Sequence, residues 1–378
     1  MNIEALKKNF EDVFSIAASV IASAPGRLEV LGNHTDYNAG LTLSCAVDFR
    51  CYVAITRLDQ PIAKLASTAF DSKPESFSLD QPDAPQGHWA KYVLGLVEGL
   101  KRRGHVVPGF AALVDSQVPR SAGVSSSAAL EIAVLTGLVN LMGIEISPDE
   151  MARIGQEAES QAVGAQTGLL DQFSSLLGER DQMLQIDFQS MQTQSSPAPP
   201  GWCFVAIDSG IKHDLTKEYN ARRASCEAAA KATGVDSLRM LNAEQLLAHH
   251  AAMNEDAFKC ALHIIGENLR VRQAIERLAV NDIAGFGQLL LLSHKSSQSN
   301  FKNSCPELDE LVAFAEADDR CLGARLSGGG FGGISIHLVS IENAEAYRSD
   351  ILNAIKPSET ATRWSAICEI GDGAKTHE

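Results

Sequence analysis

The chain has 378 residues, which is long for one hydrophobic core and favours two domains. Its formal net charge of −15 argues against nucleic-acid and anionic-membrane partners, because both require clustered basic residues. The eight cysteines are scattered without a CxxC pair, a spacing that fits reduced thiols better than a zinc or redox site. The N-terminus lacks the pattern of a signal peptide and no apolar run could span a bilayer, so we expect a cytoplasmic globular protein.

Helices and strands alternate along the predicted chain. The first elements, in order, are an amphipathic N-terminal helix, strands over 40–58, a helix over 89–104, a strand over 109–119 and a helix from about Ser126. A further helix is predicted over 148–163, with Ser147 as its N-cap and Pro148 in its first position.

A polar and then proline-rich stretch, residues 190–202, is the clearest candidate for a linker. We place the domain boundary there, which gives domains of residues 1–195 and 196–378. Mostly helices are predicted beyond it, to about residue 315, and "LGARLSGGGFGGISIHLVS" then predicts a strand, a glycine loop and a strand. Mixed helices and strands on both sides of the linker predict two α+β domains.

The segment "PRSAGVSSSAAL", residues 119–130, places small residues and three serines where an apolar helix begins. Small side chains let backbone N–H groups approach a ligand, and a helix N-terminus adds unpaired donors and the positive end of the dipole. A serine N-cap alone would need one serine. The segment therefore predicts an anion site, with serine hydroxyls able to hold a phosphate oxygen or Mg²⁺.

The glycine loop "GGGFGG", residues 328–333, formally matches the dinucleotide fingerprint G-x-G-x-x-G. That fingerprint must open a helix, whereas "ISIHLV" continues as a strand, so the match is rejected and a NAD-linked dehydrogenase has no other support. A P-loop motif is also absent from the sequence. Five glycines exceed what a tight hairpin needs, and they predict a backbone that runs against a ligand.

A third polar stretch, "APGRLEVLGNHTDYNAG", covers residues 24–40. Sugar hydroxyls require both donors and acceptors, and this stretch supplies both between its glycines. Its hydrogen-bonding side chains are those of Arg27, Asn33, His34, Asp36 and Tyr37. Together they predict a polyol site.

These three stretches resemble the galactokinase branch of the GHMP small-molecule kinase superfamily. "GRLEVLGNHTDYNAG" (26–40) is similar to the signature G-R-x-N-L-I-G-E-H-T-D-Y-N-x-G, "SAGVSSSAALE" (121–131) to G-x-G-L-S-S-S-A-x-x-E, and "LGARLSGGGFGG" (322–333) to G-x-R-M-T-G-G-G-F-G-G. Two further runs, "GLLDQFSSLLG" (168–178) and "DSGIKHDLTKEYNARRASCE" (208–227), have counterparts in the same order. The resemblance covers nearly the whole chain.

The resemblance implies a two-domain GHMP kinase fold, with a ribosomal-S5-like N-terminal half, a ferredoxin-like C-terminal half and the active site in the cleft between them. It implies an ATP- and Mg²⁺-dependent kinase that phosphorylates the C1 hydroxyl of galactose or a closely related sugar. Its partners would be the sugar and ATP, with no nucleic acid or membrane, and the protein would be a monomer or a weak homo-oligomer.

The resemblance also assigns roles to individual positions. Asp171 falls on the catalytic aspartate and Arg27 on its partner arginine. Positions matching the sugar contacts are Asn33, His34, Asp36, Gly168 and Tyr219. Positions matching the nucleotide loop are Gly123, Ser125, Ser126 and Ser127, and the Mg²⁺ ligands would be Ser127 and Glu159.

Asn33 is the main departure from the family, which has Glu at this position in contact with the C6 hydroxyl. A neutral amide would tolerate a different C6 group better, so we expect weak use of galactose and an improvement on Asn33→Glu. Ser121 and Ala122 also replace the usual glycines. These departures concern the sugar and not the reaction, and they leave open a kinase for a galactose-like sugar, such as a uronic acid, a galactosamine derivative or L-arabinose. A non-catalytic sugar and ATP sensor is the rival from another class, since a kinase fold can be kept for binding alone.

Overall fold

The computed structural model describes residues 2–69, 74–80, 88–120, 123–164, 166–211, 216–355 and 363–378. Ser121 and Ala122 lie outside these ranges. The elements of the first part of the chain are α1 (Ile3–Phe14), β1 (Val20–Leu31), β2 (Leu41–Leu58), β3 (Ile62–Ser67), β4 (Glu75–Ser78), α2 (Ala90–Arg102), β5 (Gly109–Ser116), α3 (Ser126–Met142), α4 (Pro148–Val163), α5 (Leu170–Leu177), β6 (Gln182–Asp187) and β7 (Gln192–Pro197).

The elements of the second part are β8 (Trp202–Asp208), α6 (Thr216–Thr233), α7 (Ala243–Ala248), α8 (Glu255–Ala279), α9 (Ile283–Ser296), α10 (Pro306–Glu316), β9 (Cys321–Ser327), β10 (Ile334–Ser340), α11 (Ala344–Ala354), β11 (Ser365–Cys368) and β12 (Lys375–His377). None of the helices in the described ranges has both the length and the apolar character needed to cross a membrane.

The first sheet has the strand order β12-β1-β2-β5-β3-β4. Strand β6 also pairs with β2, and β7 pairs with β6. Strand β1 contains Pro25 and Gly26, residues that favour loops, and the sequence did not predict it as a strand. It pairs antiparallel with β2 over most of its length and has an irregularity in register between Pro25 and Arg27. That irregularity lies beside Arg27, which β1 carries into the pocket described below.

The predicted helices and strands of the first part are confirmed. Helix α4 begins as expected, since the Ser147 Oγ accepts a hydrogen bond from the backbone N–H of Glu150 at 3.2 Å and Pro148 occupies the first turn. Helix α3 packs across β1 and β2, where Gly137 lets it approach Val53 closely. Nearly all of its faces are buried, which explains its continuous apolar sequence.

The second sheet has the order β11-β8-β10-β9, and the glycine loop joins β9 to β10 as predicted. The predicted linker is partly wrong, because β7 forms within it and pairs antiparallel with β6. Its residues are largely exposed at the edge of the sheet, so their polarity does not exclude a strand. The division at residues 195 and 196 stays a prediction, and β12 returns the end of the chain to β1.

Candidate active site

A buried arginine and a partly exposed aspartate form the centre of the pocket. Arg27 lies on β1 and Asp171 in the first turn of α5. The Nε and Nη2 atoms of Arg27 each lie 2.8 Å from the Oδ1 of Asp171, and its Nη1 donates to the carbonyl of Gly123 at 2.8 Å. The Arg27 side chain is 6% exposed and that of Asp171 27%, so the carboxylate is the member of the pair that a substrate can reach.

Ser125 connects this pair to the start of α3. It occupies the N-cap position in the left-handed conformation, with φ 57°, which is uncommon for a residue other than glycine and costs of order 1–3 kcal/mol. Its side chain does not cap the helix; instead its Oγ donates to the Oδ2 of Asp171. The first N–H groups of α3 therefore have no serine cap, and Ser126, the next residue, is half-buried there.

Ser127 and Glu159 touch beside the same helix terminus. The Oγ of Ser127 donates to the Oε1 of Glu159 at 2.7 Å, and Thr167 and Gln172 donate to Oε2 at 3.0 and 3.3 Å. Burial and the negative charge of Asp171 raise the pKa of Glu159. A serine hydroxyl beside a carboxylate is an oxygen pair of the kind that Mg²⁺ accepts. Within the described ranges no cluster of three His, Cys, Asp or Glu side chains could hold a metal by itself.

His34 is buried and uses both ring nitrogens inside the protein. Its Nε2 lies 3.1 Å from the carbonyl of Gly329 and its Nδ1 lies 2.9 Å from the hydroxyl of Tyr37. Burial lowers the pKa of His34 to about 4, so the ring is neutral at pH 7. The Nε2 hydrogen therefore donates to Gly329, and Nδ1 accepts from Tyr37. His34 stays a predicted sugar contact, and its hydrogen bonds join the segment that contains Tyr37 to the glycine loop.

Asp36 begins a short 3₁₀ helix, Asp36–Asn38, and lies against Gly168. A Cβ at position 168 would collide with the Asp36 carboxylate, which explains the glycine there. Burial, followed by the negative charges of Glu29 and Asp171, raises the pKa of Asp36 to about 7. The negative charges of Glu29 and Asp171 therefore act on the Asp36 carboxyl.

Tyr219 on α6 packs against His34 and lies beside the glycine loop. Its ring centroid lies 4.8 Å from that of His34, and a Cβ at Gly329 would lie 3.5 Å from its ring. Burial and the charges of nearby carboxylates raise the pKa of Tyr219 well above its usual value, so its hydroxyl stays protonated.

The glycine loop crosses the pocket with its backbone against the predicted sugar-binding residues. Gly328 has φ 87° and Gly330 φ 81°, and a Cβ at Gly330 would collide with the carbonyl of Asn303. The carbonyls of Gly328 and Gly329 accept hydrogen bonds from Asn33 and His34. The excess of glycine is thus explained by close approach and by backbone conformation.

Asn33 is completely buried and its amide group is fully used. Its Nδ2 donates to the Oε1 of Glu29 and to the carbonyl of Gly328, both at 2.8 Å, and its Oδ1 accepts from Asn303 at 2.8 Å. The structure argues against the expectation that Asn33→Glu improves the enzyme. That substitution would bring a second buried carboxylate against Glu29 and remove the donor that holds it.

Glu29 and Arg325 belong to this region although the motifs did not single them out. The Nη2 of Arg325 lies 3.0 Å from the Oε1 of Glu29, and both side chains are buried. The two residues are 296 positions apart, so only the folded structure joins them. The sequence held one signal for Glu29: the related signature has Asn at that position.

The structure brings the catalytic pair against Gly123 and Ser125, and it brings Asn33 and His34 against the glycine loop. The individual roles of the predicted site residues stay predictions. Comparison with known proteins identifies the family. The model described as GHMP kinases N terminal domain matches residues 91–179, the GHMP kinases C terminal model matches 271–354, and the galactokinase galactose-binding signature matches 8–57.

Individual proteins agree with these matches. The chain is 38% identical to a galactokinase of Actinobacillus pleuropneumoniae over 97% of both chains, and 36% identical to one of Roseiflexus sp. (strain RS-1) over 97% of this chain and 95% of that one. The Lactococcus lactis galactokinase solved in complex with galactose superposes with a TM-score of 0.92, at 28% identity over 99% of both chains. The pocket, the matched models and the full-length relatives together show that the chain belongs to the galactokinase family of the GHMP kinases.

Proposed function

We propose that this sugar kinase transfers the γ-phosphoryl group of ATP to the C1 hydroxyl of galactose, with Asp171 and Arg27 at the point of transfer. The observation that carries the proposal is the Asp171 carboxylate. Arg27 of β1 and Ser125 at the start of α3 hold it between them, and it remains partly exposed. The galactose-binding signature and the galactose complex of the L. lactis relative support galactose as the sugar.

Phosphoryl transfer requires alignment, charge neutralisation and an acceptor for the hydroxyl proton. Asp171 would accept the C1 hydroxyl proton as that oxygen bonds to the γ-phosphorus and the bond to the β-phosphate oxygen breaks. Arg27 would offset the charge of the carboxylate and of the moving phosphoryl group. Gly123, Ser125, Ser126 and the first amides of α3 would receive the ATP phosphates.

A kinase for a C6-modified sugar and a non-catalytic sensor are the rival functions, and the galactokinase matches do not favour them. The test is incubation with ATP and Mg²⁺ across a panel of free sugars. We expect ADP and galactose 1-phosphate in equal amounts, with galactose the preferred substrate. Absence of ADP release, or a phosphate on another carbon, would contradict the proposal.

Mg²⁺ fits the oxygen pair of Ser127 and Glu159, which lie beside the proposed phosphate site. When bound there, the ion would supply positive charge to the ATP phosphates. The two protein oxygens would hold it on one side, which suits an ion that takes its other ligands from phosphate and water. Ser127 and Glu159 are thus proposed to fix the position of the phosphates relative to Asp171.

We expect Glu159→Gln to raise the Mg²⁺ concentration for half-maximal activity at least about fivefold, because a neutral amide is a poorer ligand for a hard cation. The measurement is initial rate against free Mg²⁺ at fixed ATP. The control is Glu157→Gln on the same helix, where the carboxylate pairs with Arg102 and Arg103 instead. An unchanged Mg²⁺ requirement in Glu159→Gln would remove Glu159 from the metal site.

Galactose binding should depend on pH through Asp36. Its pKa is raised to about 7, so the carboxyl is mostly protonated at pH 6 and mostly ionised at pH 8. A carboxylate is the better acceptor for sugar hydroxyls, and we expect the KM for galactose to fall about tenfold between these pH values. Asp36→Asn should raise KM and abolish this dependence. A KM for galactose that stays constant from pH 6 to 8 in the unchanged protein would contradict the role of Asp36.

A further inference from the structure

The segment between β1 and β2, residues 32–40, carries predicted sugar contacts on an unusual backbone, and we call it the sugar loop. Gly32 has φ 92° and His34 has φ 60°, and the second value is uncommon for a residue other than glycine. A conformation of this kind persists only where surrounding contacts hold it. The contacts that hold the sugar loop therefore bear on sugar binding.

One carboxylate from α8 holds the start of this loop. The Oε2 of Glu267 accepts hydrogen bonds from the backbone N–H groups of Gly32 at 2.8 Å and of Asn33 at 2.9 Å. Two successive N–H groups that point at one oxygen form an anion-binding concavity, and here a side chain of the protein itself fills it. Glu267 lies 234 positions beyond Asn33, so a helix of the second part of the chain holds a loop of the first.

Glu267 is completely buried and is itself held in place. Its Oε1 accepts from the Nε of Arg270, on the next turn of α8, at 2.6 Å. Burial would raise the pKa of Glu267, but the positive charges of Arg270 and Arg325 and the N–H of Asn33 outweigh it. The pKa is therefore lowered and the side chain is ionised at pH 7. The two loop N–H groups thus donate to a charged acceptor, which makes stronger hydrogen bonds than a neutral one.

The same helix holds the far end of the sugar loop through its next residue. The Oδ1 of Asn268 accepts from the backbone N–H of Leu41 at 2.7 Å, and its Nδ2 donates to the carbonyl of Ile264 within α8 at 2.8 Å. A Cβ at Gly40 would lie 2.8 Å from that Oδ1, which leaves no room for a side chain there. Both ends of the loop are therefore fixed by α8.

The middle of the loop is also connected to α8. The Nε2 of His263, a buried residue of this helix, lies 3.3 Å from the carbonyl of Asn33. The ring of Phe301 lies between two histidines, with its centroid 4.6 Å from that of His263 and 4.5 Å from that of His34. Helix α8 thus contacts the loop backbone directly and the ring of His34 through Phe301.

We propose that Glu267 is a positioning residue that sets the affinity for the sugar by fixing the backbone of the sugar loop from α8. Because Glu267 is completely buried, it acts through the positions of the loop residues and not by touching the sugar. Its hydrogen bonds in the described structure go to Gly32, Asn33 and Arg270, and none goes to the nucleotide positions at the start of α3. The inference rests on the proposed function, since it concerns the sugar site of that kinase.

The experiment compares the unchanged protein with Glu267→Met and Glu267→Gln. It measures the KM for galactose, the KM for ATP and, by calorimetry with a saturating non-hydrolysable ATP analogue and Mg²⁺, the Kd for galactose. Methionine has about the size of glutamate but leaves the two buried N–H groups without a good acceptor. We therefore expect Glu267→Met to raise the KM and Kd for galactose at least about tenfold and to keep the KM for ATP within about twofold. Glutamine keeps a neutral acceptor, so Glu267→Gln should raise the galactose values only about threefold.

Glu255→Gln is the matched control. Glu255 lies on the same helix and pairs with Lys259 at 3.2 Å, but its side chain is 61% exposed. The substitution removes a carboxylate from an ion pair of α8 without touching the sugar loop. Both KM values and the Kd for galactose should equal those of the unchanged protein.

A Kd for galactose that stays unchanged in Glu267→Met, or an equal rise in the KM values for galactose and ATP, would overturn the proposal and leave Glu267 with a role in stability alone. If Glu267→Met does not fold, Glu267→Gln decides by the same comparison. Formation of galactose 1-phosphate by the unchanged protein tests the proposed function separately. Galactose turnover with no effect of Glu267 on galactose affinity would overturn the inference alone, whereas a protein that neither binds nor phosphorylates galactose would overturn both.

Discussion

Asp171→Asn is expected to lower kcat at least about 100-fold, the scale of general-base and electrostatic contributions. The amide has the same size as the carboxylate but cannot take up the C1 hydroxyl proton. The KM values for galactose and ATP should change less than about fivefold, since the lost interaction acts mainly in the transition state.

The fold should tolerate this change. The amide oxygen can still accept from Arg27, and the amide nitrogen can donate to the Ser125 oxygen in place of the present bond. The measurement is steady-state kinetics together with the melting temperature. A kcat within a few-fold of the unchanged protein would remove Asp171 from the point of transfer.

Asp187→Asn is the matched control for this prediction. Asp187 on β6 pairs with Arg239 at 2.8 Å, the same separation as in the Arg27–Asp171 pair, and it is 26% exposed. It therefore reproduces the loss of a carboxylate from an arginine pair outside the pocket. Its kcat should equal that of the unchanged protein. That result would show that the loss of activity in Asp171→Asn comes from the missing catalytic carboxylate and not from the loss of an ion pair as such.

The parts of the site that the sequence predicted are those whose chemistry is local. Three serines before an apolar run and five glycines between strands each predict a backbone that is exposed to a ligand or unusual in conformation. In the structure, Ser125 and Gly328 both have positive φ angles. Helix α4 was predicted together with its N-cap for the same reason, since Ser147 and Pro148 act on their own turn.

The parts that were not predicted depend on distant segments. Strand β1 forms despite Pro25 and Gly26 because β2 and α3 cover it. The ion pair of Glu29 with Arg325 joins the first sheet to the second, and no local sequence pattern predicts it. The position of Asn33 was found from the motif, but its partners were not, and these partners argue against a gain in activity from Asn33→Glu.

Arg27→Ala is expected to reduce kcat about as strongly as Asp171→Asn, with a smaller change in the KM for galactose. Arg27 bridges Asp171 and the carbonyl of Gly123, so its loss releases the carboxylate and the nucleotide loop together. Arg27→Lys should lower kcat less, about tenfold. One ammonium group keeps the positive charge, but it cannot reproduce the several N–H donors of the planar guanidinium group that contact both partners.

The test of Arg27 is designed to distinguish a role in catalysis from a role in folding. Added guanidinium ion should restore part of the activity of Arg27→Ala, because it can occupy the space left beside Asp171 and supply the missing charge. The double variant Arg27→Ala with Asp171→Asn should be little worse than either single variant, since residues that act as a unit are not additive. If the two losses instead multiply, and guanidinium has no effect while the melting temperature drops, Arg27 supports the fold, and the transfer chemistry must be assigned without it.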